Sequence, residues 1–135
     1  MEAWDAQFKN NLDWNHAWGS APANIIPRRL MGVEPIEPGW RRMRIKPQPG
    51  SLEWADMKLP TIQGDVQVNI KHNNGDFLMD IEIPSHTKAE VHLPCPNKKH
   101  KVYLNGELQS IHRNGHNAII NVEGGKHSFR VTNAD

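Results

Sequence analysis

The pattern of apolar and polar residues changes near residue 40 of the 135-residue chain. Beyond that point apolar residues recur at every second position, which is typical of β-strands with one buried and one exposed face. The first two clear strands have the apolar positions Val66, Val68, Ile70, Phe77, Met79, Ile81 and Ile83. Residues 72–76, with the sequence His-Asn-Asn-Gly-Asp, favour a turn between these strands. The pattern therefore predicts a β-hairpin.

Further alternating segments are separated by turn sequences such as Asn105-Gly106, Asn114-Gly115 and Gly124-Gly125. The predicted strands outside the hairpin cover residues 41–46, 52–59, 89–93, 102–104, 108–111, 118–122 and 126–131. Short strands joined by regular turns are typical of β-sandwiches. We therefore predict a mainly β fold, a jelly-roll-like antiparallel β-sandwich over residues 38–135.

Residues 20–31 are predicted to form a short helix before the strands. Ser20 is a favourable N-cap, Pro22 lies in the first turn, where its missing N–H costs little, and Gly32 ends the helix. Pro27 lies inside the segment and is expected to kink or weaken it. Because a helix of this length is marginal in water, it needs a packing neighbour.

The change in pattern also predicts the domain organisation. Residues 1–31 form a helical segment, residues 32–37 a stiff linker containing Pro35, and residues 38–135 the sandwich. The five tryptophans all lie in the first 54 residues: Trp4, Trp14, Trp18, Trp40 and Trp54. This distribution indicates that the N-terminal segment is shaped to bury against another part of a protein. Trp40 and Trp54 are the candidates for that junction.

Composition and charge exclude several classes of function. The chain is 37% hydrophobic and 23% charged, as in a globular protein, and its net charge is only +1. Its basic clusters contain no interleaved aromatic residues, so no nucleic-acid partner is expected. No apolar run approaches the roughly 18 residues that a membrane helix needs, so no membrane partner is expected either.

The histidines and the single cysteine do not predict a site. The eight histidines include no recognisable set of three or four ligands, so they are interpreted as ordinary surface residues and no metal or other cofactor is expected. Cys95 lies between Pro94 and Pro96 and cannot form an internal disulfide. Because neither a helix end nor a nearby base is predicted beside it, Cys95 is interpreted as structural.

Acidic residues and indoles are interleaved near the N-terminus, where Glu2, Asp5 and Asp13 lie among tryptophans and His16. This combination is found in sugar sites, where rings pack on pyranose faces and carboxylates bind hydroxyls or transfer protons. Taken alone, the combination is a weak signal, and a structural role for these residues is the default interpretation.

Four motifs in a fixed order carry a family resemblance. They are residues 2–5 (Glu-Ala-Trp-Asp), 13–19 (Asp-Trp-Asn-His-Ala-Trp-Gly), 44–50 (Arg-Ile-Lys-Pro-Gln-Pro-Gly) and 52–55 (Leu-Glu-Trp-Ala). With these motifs, the chain resembles the C-terminal end of the bacterial α-L-rhamnosidases. These are inverting glycoside hydrolases with an (α/α)6-barrel catalytic domain followed by a β-sandwich. The resemblance extends over essentially the whole chain and implies that residues 1–31 are the last segment of the barrel.

The resemblance also implies residue roles. In the family, a Trp-Glu-x-Trp motif carries the glutamate proposed as the general base. Glu2 and Trp4 match this motif, with Met1 in place of the first tryptophan. The histidine of the Asn-His motif, here His16, contacts the bound sugar, and Trp4 and Trp18 are the accompanying substrate-binding residues. The implied partners are a rhamnose-containing glycan and the barrel domain of the same polypeptide.

An inverting hydrolase needs two carboxyl groups placed roughly 6.5–9.5 Å apart across the scissile bond. The family's general acid belongs to barrel helices upstream of the matched motifs. The 135-residue chain is therefore predicted not to hydrolyse rhamnosides by itself.

Two alternatives remain open. The first is a free-standing carbohydrate-binding module, for which Tyr103 is the only ring in the clear strand region expected to face outward. The second is a purely structural or protein-interaction sandwich. The compartment is undecided, with a periplasmic or secreted location in a bacterium expected for the parent enzyme.

Overall fold

The computed structural model describes residues 20–132. A short helix α1 (Ala21–Ile25) is followed by a wider π-helical turn (Ile26–Leu30), and a 3₁₀ turn covers Pro38–Trp40. Within the described range, the strands are β1 (Val33–Pro35), β2 (Arg42–Ile45), β3 (Trp54–Thr61), β4 (Gly64–Asn73), β5 (Asp76–Pro94), β6 (Val102–Leu104), β7 (Glu107–Leu108), β8 (His112–Asn114) and β9 (Asn117–Val131). The mainly β fold is thus confirmed.

The strands form one continuous sheet with two halves, and the long strands β5 and β9 run through both halves. Half-sheet A contains β3, β4, the first part of β5, the last part of β9, β6 and β7. Half-sheet B contains β1, β2, the last part of β5, the first part of β9 and β8. The buried side chains of both halves belong to one hydrophobic cluster, as in a β-sandwich. The orientation is mixed, because β2 runs parallel to β5.

The corner between the halves lies where β5 and β9 change layer. Ile83 pairs with Gly125 and Lys88 with Glu123, so residues 84–87 of β5 lie opposite Gly124 alone. A Cβ atom at Gly124 would lie 2.4 Å from the carbonyl oxygen of Pro84, so only glycine fits there. The sequence predicted strand breaks at these positions. The structure instead shows two continuous strands that bend, since a glycine pair can serve a bend as well as a turn.

The core follows the predicted alternation. Val66, Val68 and Ile70 are fully buried on β4, and odd-numbered residues of β5 are buried on both sides of the corner. Burying one such side chain contributes about 1.5–3 kcal/mol to folding. The predicted hairpin of β4 and β5 is confirmed, with Asn73 pairing with Asp76 beside the turn.

The helical segment is formed as predicted only in part. Pro22 lies in the first turn of α1, but the Ser20 side chain makes no capping hydrogen bond. After Ile25 the helix widens, and the N–H of Met31 donates to the carbonyl oxygen of Ile26 at 3.0 Å. This widening fits the expected effect of Pro27, which has no N–H to continue the α-helical pattern. No residue of α1 or the π-helical turn is buried.

The predicted linker 32–37 contains a strand. Residues Val33–Pro35 pair antiparallel with β2, and Val33 is fully buried in the same core as Met31. The N–H of Lys46 also donates to the carbonyl oxygen of Gly32 at 2.9 Å. Within the predicted linker, residues 33–35 are therefore held in the sheet by this ladder and by the buried Val33 side chain.

We expect Gly32→Ala to lower the free energy of unfolding by roughly 3–5 kcal/mol, because a left-handed backbone and a steric clash both cost free energy. Gly32 has a φ of +69°, and an added Cβ atom would lie 1.8 Å from the carbonyl oxygen of Lys46. Gly50 is the matched control, with a φ of +58° and no atom within 4 Å of an added Cβ. Gly50→Ala should cost only about 1–2 kcal/mol. Equal losses in urea denaturation would contradict the close approach at Gly32.

Candidate functional site

The site residues predicted from the sequence lie outside the described part of the chain. Glu2, Trp4, His16 and Trp18 all precede residue 20, so their positions and roles stay predictions. Within residues 20–132, three features can position functional groups: the junction between helix and sheet, the outer face of half-sheet A, and a loop held by an arginine.

Trp40 lies at the junction between the helical segment and the sheet. It is half-buried and lines a cavity of about 350 Å³ together with Ala23 and Pro27 of the helical segment and Leu59 of β3. Ile25 and Ile26 are 54% and 46% exposed on the same segment. The helical segment therefore presents apolar side chains that the described residues leave uncovered.

The outer face of half-sheet A carries three cross-strand rows. The first row is Trp54, Lys71, Leu78, Arg130 and Tyr103. The second is Asp56, Asn69, Asp80 and Ser128. The third is Lys58, Gln67, Glu82 and Lys126. Tyr103 faces outward, as expected, but the same row contains a second ring.

Trp54, a candidate for the barrel junction, is that second ring. It is 68% exposed, at the opposite end of β3 from Leu59 and the cavity beside Trp40. The alternation of Trp54 and Asp56 with the buried Ala55 was a signal that could have found it, because successive side chains on a strand point to opposite faces.

Three shallow depressions adjoin one another along the outer face of half-sheet A. Their volumes are about 320, 370 and 450 Å³. Trp54 and Asn69 line the first, Asn69 also lines the second, and Asp80 and Ser128 line both the second and the third. Tyr103 lines the third. We call this continuous surface from Trp54 to Tyr103 the trough.

Ion pairs border the trough along the third row. Lys58 Nζ lies 2.8 Å from Asp65 Oδ2, and Lys126 Nζ lies 3.6 Å from Glu82 Oε2. The hydrogen bond and the charge attraction of Asp65 raise the pKa of Lys58 above its usual value. Lys58 therefore stays charged and paired with Asp65 at neutral pH.

The middle of the trough contains polar side chains without a hydrogen-bond partner among the described residues. The Ser128 hydroxyl donates to Asp80 Oδ1. Among the described residues, the side chains of Asp56, Gln67 and Asn69 make no hydrogen bond. Two amides and one carboxylate thus present unused donors and acceptors toward solvent.

His92 corrects the interpretation of the histidines as surface residues. It is only 7% exposed, and its Nε2 atom lies 2.5 Å from Glu90 Oε1 on the outer face of half-sheet B. A polar partner two residues away on the same strand lets the ring be buried without an unpaired nitrogen at that position. On the same face, a hydrogen bond from Lys88 and its charge lower the pKa of Glu123.

Arg113 on β8 holds the loop that follows β5. Its Nη1 atom donates to the carbonyl oxygens of Cys95 at 3.2 Å and Asn97 at 2.9 Å, and lies 2.9 Å from Cys95 Sγ. Its Nη2 atom donates to the carbonyl oxygens of His100 at 3.2 Å and Lys98 at 3.5 Å. Cys95 is buried, in keeping with the structural role expected for it. The sequence did not indicate the cation beside it.

We expect Arg113→Met to lower the free energy of unfolding by about 2 kcal/mol, because several carbonyl groups lose their donor. It should also make the Cys95 thiol react faster with a disulfide reagent. Arg44→Met is the control, since Arg44 makes only a half-exposed ion pair with Glu34 at 3.6 Å and should lose less than about 1 kcal/mol. Indistinguishable thiol reactivity and stability in the two variants would show that the arginine does not hold the loop.

Residues 20–132 contain no group of three or more His, Cys, Asp or Glu side chains arranged to hold a metal ion. In the same range, no helix has the length and apolar character required to span a membrane.

Comparison with known proteins gives consistent matches. The sequence model of the bacterial α-L-rhamnosidase C-terminal domain matches residues 32–108. An α-L-rhamnosidase of Streptomyces avermitilis is 25% identical over 96% of this chain and 13% of its own length. The structure of an α-L-rhamnosidase from Dictyoglumus thermophilum is 29% identical with a TM-score of 0.77, over 85% of this chain and 14% of that one. That of native α-L-rhamnosidase from Aspergillus terreus is 26% identical with a TM-score of 0.70, over 98% and 14%.

Proposed function

We propose that this chain, which belongs to the family of bacterial α-L-rhamnosidase C-terminal domains, supports the hydrolysis of terminal α-L-rhamnosyl residues within a larger enzyme. The observation that carries the proposal is the family match over residues 32–108, combined with coverage of only 13–14% of the length of the relatives. The chain corresponds to a small domain of large proteins. The glycan is then bound and cleaved mainly by parts of the enzyme beyond this chain.

The partner of the sandwich in this proposal is the catalytic barrel of the same polypeptide. Residues 1–31 are its last segment, and the sandwich of residues 38–135 packs beside it, with β1 of the segment 32–37 paired to the sandwich sheet. The exposed Ile25 and Ile26 support this arrangement, because a helical segment with no buried residue gains stability only by packing on a neighbour.

The catalytic roles proposed for the N-terminal residues follow the family motif. Glu2 takes a proton from the attacking water, and a carboxylic acid elsewhere in the barrel protonates the leaving oxygen, so the anomeric centre is inverted. His16 hydrogen-bonds a sugar hydroxyl, while Trp4 and Trp18 pack against the apolar faces of the sugar. All four act only when the barrel walls hold them in place.

We expect the purified 135-residue chain to release no nitrophenol from an aryl α-L-rhamnoside above the rate in buffer, because the general acid is missing. Glu2→Gln should then leave the chain unchanged. Turnover by the chain that disappears in Glu2→Gln would overturn this expectation.

The coding DNA upstream provides the complementary test. An in-frame (α/α)6 barrel is expected there, and in the resulting longer protein Glu2→Gln should reduce kcat at least about 100-fold through loss of the general base. A longer protein whose rhamnosidase activity survives Glu2→Gln would refute the role of Glu2. The absence of any barrel would refute the proposed enzyme.

We expect the isolated chain to self-associate, since exposed apolar side chains on the helical segment lack their covering partner. In sedimentation velocity at the same protein concentration, the double variant Ile25→Ser, Ile26→Ser should contain a smaller fraction of associated protein and a larger fraction of monomer than the wild type. Leu108→Ser is the control, because Leu108 is also exposed but lies on β7 of half-sheet A. A wild-type chain that stays monomeric at high concentration would count against this docking surface.

A further inference from the structure

We infer that the trough on half-sheet A is a binding site for a neutral oligosaccharide, separate from the hydrolytic site. The trough is formed entirely by strands of the sandwich and its turns, between residues 53 and 130. It therefore does not depend on Glu2, His16 or the barrel, and the inference goes beyond the hydrolytic role proposed above.

The two rings at its ends set the length of the site. Trp54 and Tyr103 are separated by four strand-to-strand steps, which corresponds to roughly 19 Å. The three adjoining depressions connect them without a gap in their lining residues. An extended chain of several sugar rings fits this shape better than a compact small molecule, which would occupy only one depression.

The rings provide apolar faces for stacking. Trp54 is 68% exposed, so an indole of large area is left in water on an edge strand. An indole or phenol presents a flat apolar face with a polar edge. The C–H face of a pyranose matches this surface, and stacking at both ends would hold the oligosaccharide along the row.

The second and third rows, which run beside the row of the two rings, provide hydrogen-bond groups suited to hydroxyls. Asn69 and Gln67 each offer a carbonyl oxygen and an NH₂ group, and Asp56 offers two acceptor oxygens. None of the three is used by another described residue. A hydroxyl both donates and accepts, so neighbouring hydroxyls of a sugar can satisfy a carboxylate and an amide together.

The charges favour a neutral ligand. Asp56 and Asp80 lie in the middle row, while Lys126, Lys58 and Arg130 are already paired with carboxylates. An acidic glycan would meet these central carboxylates, and Lys71, the one cation of the three rows without an ion pair among the described residues, lies beside Trp54 in the first row.

The polar floor also argues against a protein partner on this face. The centres of protein interfaces are apolar and depleted in charge. Here the two rings stand apart at the ends of the first row with Leu78 between them, and the second and third rows are polar. Glycan recognition therefore uses the whole surface, whereas a protein would bury Asp56 and the two amides at its centre.

The test is isothermal titration of the full 135-residue chain with tetra- to hexasaccharides prepared from rhamnan, xylan and galactan. We expect saturable binding of at least one of these neutral oligosaccharides. Trp54→Ala should weaken that binding at least tenfold, and Asn69→Ala should weaken it severalfold. Because Trp54 and Asn69 are both exposed, both variants should keep the wild-type Tm.

Ile62→Ala is the matched control, since Ile62 is 80% exposed and does not line the trough. It should bind like the wild type. Oligogalacturonate is the charged counter-probe and should bind at least tenfold more weakly than the best neutral oligosaccharide. No binding of any neutral probe, unchanged binding by Trp54→Ala, or equal binding of oligogalacturonate would overturn the inference. Each of these results would leave the hydrolytic proposal intact, because that proposal is tested by turnover and by the upstream coding sequence.

Discussion

The contact between Gly124 and the backbone of Pro84 and Ser85 is the constraint on which the rest of the fold depends. It allows β5 and β9 to change layer together, so each strand belongs to both half-sheets. The hydroxyl of Thr87, itself buried, donates to the carbonyl oxygen of Pro84 at 2.7 Å and supports the same bend. Because both halves share one core, neither can bury its apolar face without the other.

The local alternation of residues was enough to predict the hairpin of β4 and β5, since a period of two identifies the buried face of a strand directly. It could not predict the pairing of β1 with β2, because three residues around Pro35 carry no usable period. Nor could it reveal the parallel pairing of β2 with β5, which depends on distant parts of the chain. The glycine pair at 124–125 predicts a turn from the sequence alone. Only its pairing with β5 shows that β9 bends there and continues.

Some candidate site residues could likewise be predicted from local sequence, and others only from the tertiary structure. The family motif predicted Glu2 and His16, which lie outside the described residues. The trough depends on cross-strand register, so Trp54 and Tyr103, which are far apart in sequence, come to share one row. Likewise, the contacts of Arg113 with the loop after β5 follow from tertiary packing and leave no local signal. The proposed catalytic residues and the proposed ligand-binding face thus share no residue.

The position of β9 affects how the protein emerges from the ribosome. This strand pairs with β5, β6 and β8, yet it is the last strand of the described sheet. Neither layer can close until the ribosome has passed residue 131, so the long apolar face of β5, complete at residue 94, stays without its β9 partner until then. Late closure of this kind favours a role for chaperones that protect nascent strands, and it makes premature termination before β9 a route to aggregation rather than to a smaller stable domain.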